Sequence, residues 1–233
     1  MVASISKNIE ILKQRIKNAA LKSGRNPSDI KLVVVTKTHP SNLVDIALRS
    51  GIKFIGENRI QEAEEKIPLL IEKFEEFHFI GHLQSNKIPR LIKLNPVLIH
   101  SIDKFSTAEK LNDLLIQINQ KQDVLIQVNT SFEESKFGIE PNLAINFIQD
   151  VSELSNLNIK GLMTIGKFTN DENEIRNCFR TLKKLFDEIK LRKIKSVEMK
   201  YLSMGMTNDF EIAIEEGANI VRIGSAIFGE RKY

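Results

Sequence analysis

Three groups of residues in this 233-residue sequence have types and spacings that could do chemistry. The first is Lys37, which closes the apolar run KLVVVTK and follows Val33 and Val35 at a period of two. As a strand residue its amine shares the face of two apolar side chains. An amine drawn out of water loses basicity, and its free lone pair can attack a carbonyl to form a Schiff base. The same position also suits a lysine that snorkels to a rim or pairs with an acid such as Glu57. The second group is the pair of segments SMGMTND, Ser203 to Asp209, and VRIGSA, Val221 to Ala226. Gly205 and Gly224 would let backbone approach an anion, and the hydroxyls of Ser203, Thr207 and Ser225 could donate to it. Such residues also make ordinary capped turns, but two of these loops in one chain favour a phosphorylated ligand. The third is Arg222, two residues before Gly224.

A carbonyl-reactive lysine facing a phosphate cradle suggests either pyridoxal 5'-phosphate or a sugar-phosphate aldolase. A guanidinium at 222 could reach a pyridine nitrogen and, being permanently protonated, would leave that nitrogen unprotonated. It could instead form a strand-end salt bridge or touch the phosphate. His78 and His82 lie four apart with no carboxylate or cysteine at ligand spacing, so packing and hydrogen bonding are expected of them and no metal is needed. Gln84 to Lys87 reads as a helix start with Ser85 as its cap.

The elements that must position these residues follow from periodicity. Apolar runs rich in Val and Ile at 31–37, 53–56, 77–81, 97–102, 123–129, 159–165, 196–203 and 219–224 read as eight strands. Helical periods fill 41–49, 60–74, 107–120, 141–154 and 173–191, and a first helix over 4–21 precedes them all. Eight alternating units predict parallel strands closed into a (β/α)8 TIM barrel with an extra N-terminal helix. An open doubly wound sheet would want a glycine-rich turn after the first strand, where this chain has VVVTKTHP. In a barrel the C-terminal strand ends form the active mouth, so Lys37, Glu57, Asn58, His82, Ser101, Asn129, Ser203 and Arg222 are expected to converge there.

Composition sets the outer bounds. The chain is 42% hydrophobic and 27% charged, and no linker or low-complexity stretch interrupts it, so one domain over 1–233 is expected. A net charge of +4 with interspersed signs and no recognition motif predicts a solvated surface and no nucleic-acid partner. The lone Cys178 excludes an internal disulfide, and no segment reads as a signal or a membrane span, so a cytoplasmic location is expected.

TKTHP around Lys37, GENRIQEAEEK from Gly56, HFIGHLQSNK from His78, SID at Ser101, IQVN with SKFGIE, GLMTIG, LSMGMTND and VRIGSAIFGERKY carry a resemblance. In that order, end to end, the chain resembles the pyridoxal phosphate homeostasis proteins. The resemblance implies a barrel similar to the N-terminal domain of alanine racemases, with Lys37 as the cofactor lysine. It further implies that Arg222 faces the pyridine nitrogen, that Ser203, Thr207, Gly224 and Ser225 hold the phosphate, and that Asn58 touches the ring hydroxyl. Gly166 and Lys167, Thr207 and Ser225 depart from the commoner family pattern; the two hydroxyl exchanges keep a phosphate donor, whereas the first alters the rim after strand six. The implied role is a monomeric protein that buffers pyridoxal phosphate and delivers it to apo-enzymes. The alternative is a fold type III enzyme such as an amino-acid racemase, which needs a second acid or base that neither Tyr201 nor Tyr233 convincingly supplies.

Overall fold

Eight short strands, each followed by helix, close on themselves in sequence order in the computed structural model, which describes residues 2–133 and 135–229. They are β1 (Lys31–Val35), β2 (Phe54–Glu57), β3 (Glu76–Phe79), β4 (Leu98–Ile102), β5 (Gln122–Gln127), β6 (Leu157–Met163), β7 (Val197–Ser203) and β8 (Ile220–Ile223). Every pairing is parallel, and β8 returns to β1 with Val33 opposite Arg222. The expected (β/α)8 barrel is therefore the observed one. Its helices are α1 (Val2–Lys22), α2 (Ser41–Arg49), α3 (Ile60–Lys66), α4 (Ile88–Lys93), α5 (Phe105–Gln117), α6 (Ala144–Ser152), α7 (Glu172–Arg192), α8 (Phe210–Glu215) and α9 (Ser225–Phe228). The extra helix α1 buries Ile5, Ile9, Leu12 and Ile16 and packs on α2, α8 and α9.

Several ends differ from the sequence expectation. The helix foreseen over 60–74 stops at Lys66, because Pro68 cannot continue it and a single 3-10 turn, Ile67–Leu69, follows. Ser85 begins a 3-10 turn rather than capping a helix, and its hydroxyl meets Thr107 Oγ1 at 3.3 Å. The first strand ends at Val35, so Lys37 stands just beyond it in a turn.

Two apolar layers make the core. The larger lies between strands and helices and takes Val34, Ile55, Phe77, Phe79, Ile99, Val221 and Ile223 from alternate strand positions. The smaller fills the barrel itself with Val33, Leu98, Leu125, Met163 and Ile220, closed at the N-terminal end by Phe54 and Tyr201. Because strand side chains alternate between these layers, Lys31, Glu76, His78, His100, Ser203 and Arg222 fall on the inner face.

Candidate site at the C-terminal mouth of the barrel

The backbone on either side of Lys37 is held by specific contacts. The Thr36 N–H donates to the Gly56 carbonyl at 3.0 Å, its hydroxyl donates to Glu57 Oε1 at 2.6 Å, and its carbonyl accepts from Lys66 Nζ at 2.6 Å. Beyond Lys37, Thr38 has φ 65° and its N–H donates to Glu62 Oε2 at 2.7 Å. A β-branched residue in that region costs on the order of 1–3 kcal/mol, so surrounding contacts must enforce it. His39 stacks on Phe228 with centroids 4.3 Å apart, tying this turn to α9. Lys37 itself is half-buried.

Glu57 does not reach the mouth. It shares the parity of Ile55 and so faces α3, where Lys66 Nζ donates to its Oε1 at 2.5 Å. Both side chains are buried, and burial pushes the Glu57 carboxyl up against the opposing pull of Lys66 and Thr36. The pair clamps the residue before Lys37 from outside the barrel.

Arg222 shares the parity of Ile220 and points into the upper barrel. Its Nη1 donates to Ser203 Oγ at 2.6 Å and its Nη2 to the Thr164 carbonyl at 2.8 Å. Burial lowers its pKa from 12.5 to about 10, partly offset by Asp209, so the guanidinium stays charged at neutral pH. Behind it Ser203 Oγ lies 2.9 Å from His100 Nδ1, His100 Nε2 lies 2.9 Å from His78 Nδ1, and His78 Nε2 lies 2.8 Å from Glu76 Oε2. Lys31 Nζ donates to both Glu76 oxygens at 2.6 and 2.7 Å. The expectation that Ser203 offers its hydroxyl to a phosphate is corrected here: the residue is fully buried and that hydroxyl lies between Arg222 and His100.

The loops after β7 and β8 meet as expected. Ser225 Oγ donates to Thr207 Oγ1 at 2.9 Å, and Asp209 Oδ1 accepts from the Met206 N–H at 2.5 Å to shape the turn that carries Thr207. Gly205 and Gly224 have internal reasons as well: a Cβ at 205 would lie 2.6 Å from Ala213 Cβ, and one at 224 would lie 2.9 Å from the Val35 carbonyl oxygen. Asn58 follows β2, and its Oδ1 is buried with no partner among the described residues, an acceptor suited to a ring hydroxyl. His82 stacks on Phe137 at 3.9 Å, and its Nδ1 makes no hydrogen bond among the described residues, with Asp103 Oδ2 3.7 Å away. Ser101 donates to the Gly81 carbonyl. Asn129 shapes the loop after β5, donating to the carbonyls of Glu133 and Lys136 and accepting from Ser131. An orphaned acceptor, paired hydroxyls and a fixed cation at one end of the barrel fit a phosphorylated pyridine aldehyde.

The family model described as the alanine racemase N-terminal domain matches residues 2–232. The chain is 42% identical over 220 residues to the pyridoxal phosphate homeostasis protein of Aquifex aeolicus (strain VF5), covering 94% of this chain and 95% of the relative. The chain belongs to the pyridoxal phosphate homeostasis protein family. Among solved structures, PipY of Synechococcus elongatus PCC7942 with PLP bound matches with a TM-score of 0.82 and 26% identity, over 97% of this chain and all of that one. The alanine racemase of Clostridium difficile 630 shares the barrel alone, at 15% identity and a TM-score of 0.78, over 99% of this chain and 57% of that one.

For this member of the pyridoxal phosphate homeostasis protein family, sequence reasoning missed His100 altogether; the packing and hydrogen bonding expected of His78 are found, but its partners were not foreseen. The available signal was the strand period: His100 follows Leu98, and His78 follows Glu76, at spacing two. Tyr201, weighed as a second acid or base, lies at the closed end beside the Lys31 ammonium, 5.4 Å from its ring. Tyr233 lies outside the described residues.

Proposed function

We propose that this protein binds pyridoxal 5'-phosphate through a Schiff base on Lys37, keeps the reactive aldehyde at low free concentration, and releases it to apo-enzymes. In this reading it acts as a cytoplasmic monomer and turns over no substrate of its own. When bound, the cofactor supplies an aldehyde to the Lys37 amine. The Thr36 and Thr38 contacts aim that lysine, Thr207, Ser225 and the Gly224 backbone receive the phosphate, and Asn58 Oδ1 accepts from the ring hydroxyl. Ser203 serves the ring indirectly, by holding Arg222.

The observation that carries a carrier over a catalyst is the state of Arg222. It is buried, charged and fixed by two acceptors, and a guanidinium has only donors to offer. A pyridine nitrogen facing it accepts a hydrogen bond and stays unprotonated, which makes the ring a weak sink for electrons and argues against decarboxylation or transamination. Racemisation further requires an acid or base on the opposite face, and Tyr201 lies at the wrong end of the barrel.

Two assays on the loaded protein test this. Mixing it with an apo-enzyme that requires pyridoxal phosphate should restore that enzyme's activity as the protein's own near-visible absorption declines. Steady turnover of an amino acid well above that of free cofactor, abolished by Lys37→Ala, would replace the carrier with an enzyme.

A further inference from the structure

With both interior rings neutral, the polar chain inside the barrel has only one consistent direction. Glu76 is held as a carboxylate by the His78 hydrogen bond and by Lys31, which bring its pKa to about 2, so it can only accept. The His78 Nε2 must therefore carry a proton. Burial lowers the His78 pKa, with Glu76 opposing, and lowers that of fully buried His100 further, helped by the nearby charges of Arg222 and Lys31. Burial thus favours the neutral form of both rings. With its proton on Nε2, a neutral His78 presents Nδ1 as an acceptor to His100, which must then also be protonated on Nε2. His100 Nδ1 thus accepts the Ser203 hydroxyl proton, and Ser203 turns its lone pairs to Arg222 Nη1.

We propose that His78 and His100, with Ser203, form a one-way hydrogen-bond relay that positions Arg222 from the closed end of the barrel. The relay starts at the partly exposed Lys31–Glu76 pair and ends at the cation that faces the mouth. Each link polarises the next, so Ser203 is a stronger acceptor for Arg222 than an isolated hydroxyl. His78 and His100 are positioning residues, and their bearing on the cofactor rests on the reading that Arg222 meets the pyridine nitrogen. The relay itself belongs to the protein before any cofactor binds.

Glu76→Gln gives a sharp test. Lys31 donates to both Glu76 oxygens, and the one it holds at 2.6 Å is the one that meets His78 Nε2, so the variant keeps the side chain's shape and removes the anionic charge that polarises the chain. The experiment is 15N-histidine and 15N-arginine NMR of the cofactor-free protein, followed by titration with pyridoxal phosphate. The wild-type protein should show both rings as neutral Nε2–H tautomers, and in Glu76→Gln the Arg222 Nη1 protons should exchange several-fold faster. Overall loss of packing would speed exchange of the buried backbone amides as well, which the relay leaves unchanged.

An Nδ1–H tautomer or a protonated ring at neutral pH in the wild-type protein overturns the relay without need of any variant. Unchanged Arg222 Nη1 exchange in folded Glu76→Gln would leave Arg222 ungoverned and so overturn the positioning role. A protein with the expected tautomers and exchange that binds no pyridoxal phosphate would instead count against the cofactor reading, leaving the relay standing.

Discussion

Arg222 illustrates what one residue must satisfy at this mouth. It is buried with its charge, which is costly unless its N–H groups find acceptors, and Ser203 and the Thr164 carbonyl meet that need. Arg222→Met keeps the volume and removes the charge, so the fold should survive. Pyridoxal phosphate binding should weaken about tenfold, the worth of one charge-assisted hydrogen bond; calorimetric titration checks this, and unchanged affinity would remove Arg222 from the cofactor's surroundings. At this scale the sequence was most legible where a side chain's surroundings are local. Lys37 drew notice because Val33 and Val35 precede it at a period of two, although the strand ends at Val35 and the lysine stands in the turn beyond. Ser203 was misjudged because its partners come from β4 and β8, 103 and 19 residues away, and no local pattern reveals them.

The elements position the lysine from outside the barrel. The buried Lys66–Glu57 pair joins α3 to the end of β2, with Lys66 holding the Thr36 carbonyl and Glu57 its hydroxyl. Lys66→Met strands a buried carboxylate, at a cost of about 3–5 kcal/mol. Chemical denaturation should register that loss, and adding Glu57→Gln should recover part of it by removing the stranded charge. If the single variant were as stable as wild type, the clamp would carry no energy. Strand number and order were readable because each run is short, apolar and set between helical periods. Of the two six-residue helices, α4 was foreseen only as a start near Gln84 to Lys87 and α8 not at all, since so few residues cannot display a 3.6-residue repeat.

Over the whole molecule, the interior histidines couple folding to pH. Both have folded pKa values below the ordinary 6.5, because burial disfavours their cations. Below that pH the unfolded chain takes up protons that the folded one refuses, so stability is complete above about pH 6.5 and falls as the pH drops. The slope should approach about 1.4 kcal/mol per pH unit for each ring. Glu76, its pKa lowered from 4.5 to about 2, adds a further loss as the pH falls through that interval. Unfolding measured from pH 7 to pH 5 in wild type and His100→Phe should show the slope reduced by about half in the variant; equal slopes would mean His100 titrates alike in both states. Barrel closure itself was legible from eight alternating units, whereas a polar path through its centre emerges only when five strands are brought together.

The central claim, that Lys37 carries pyridoxal phosphate, is tested most directly by borohydride reduction of the protein mixed with the cofactor, followed by peptide mass mapping. A near-visible absorption band that disappears on reduction, with the added mass on the peptide containing Lys37 and no adduct in Lys37→Ala, is the predicted result. An adduct confined to another lysine, such as Lys136 in the loop after β5, or no adduct at all, would contradict the account.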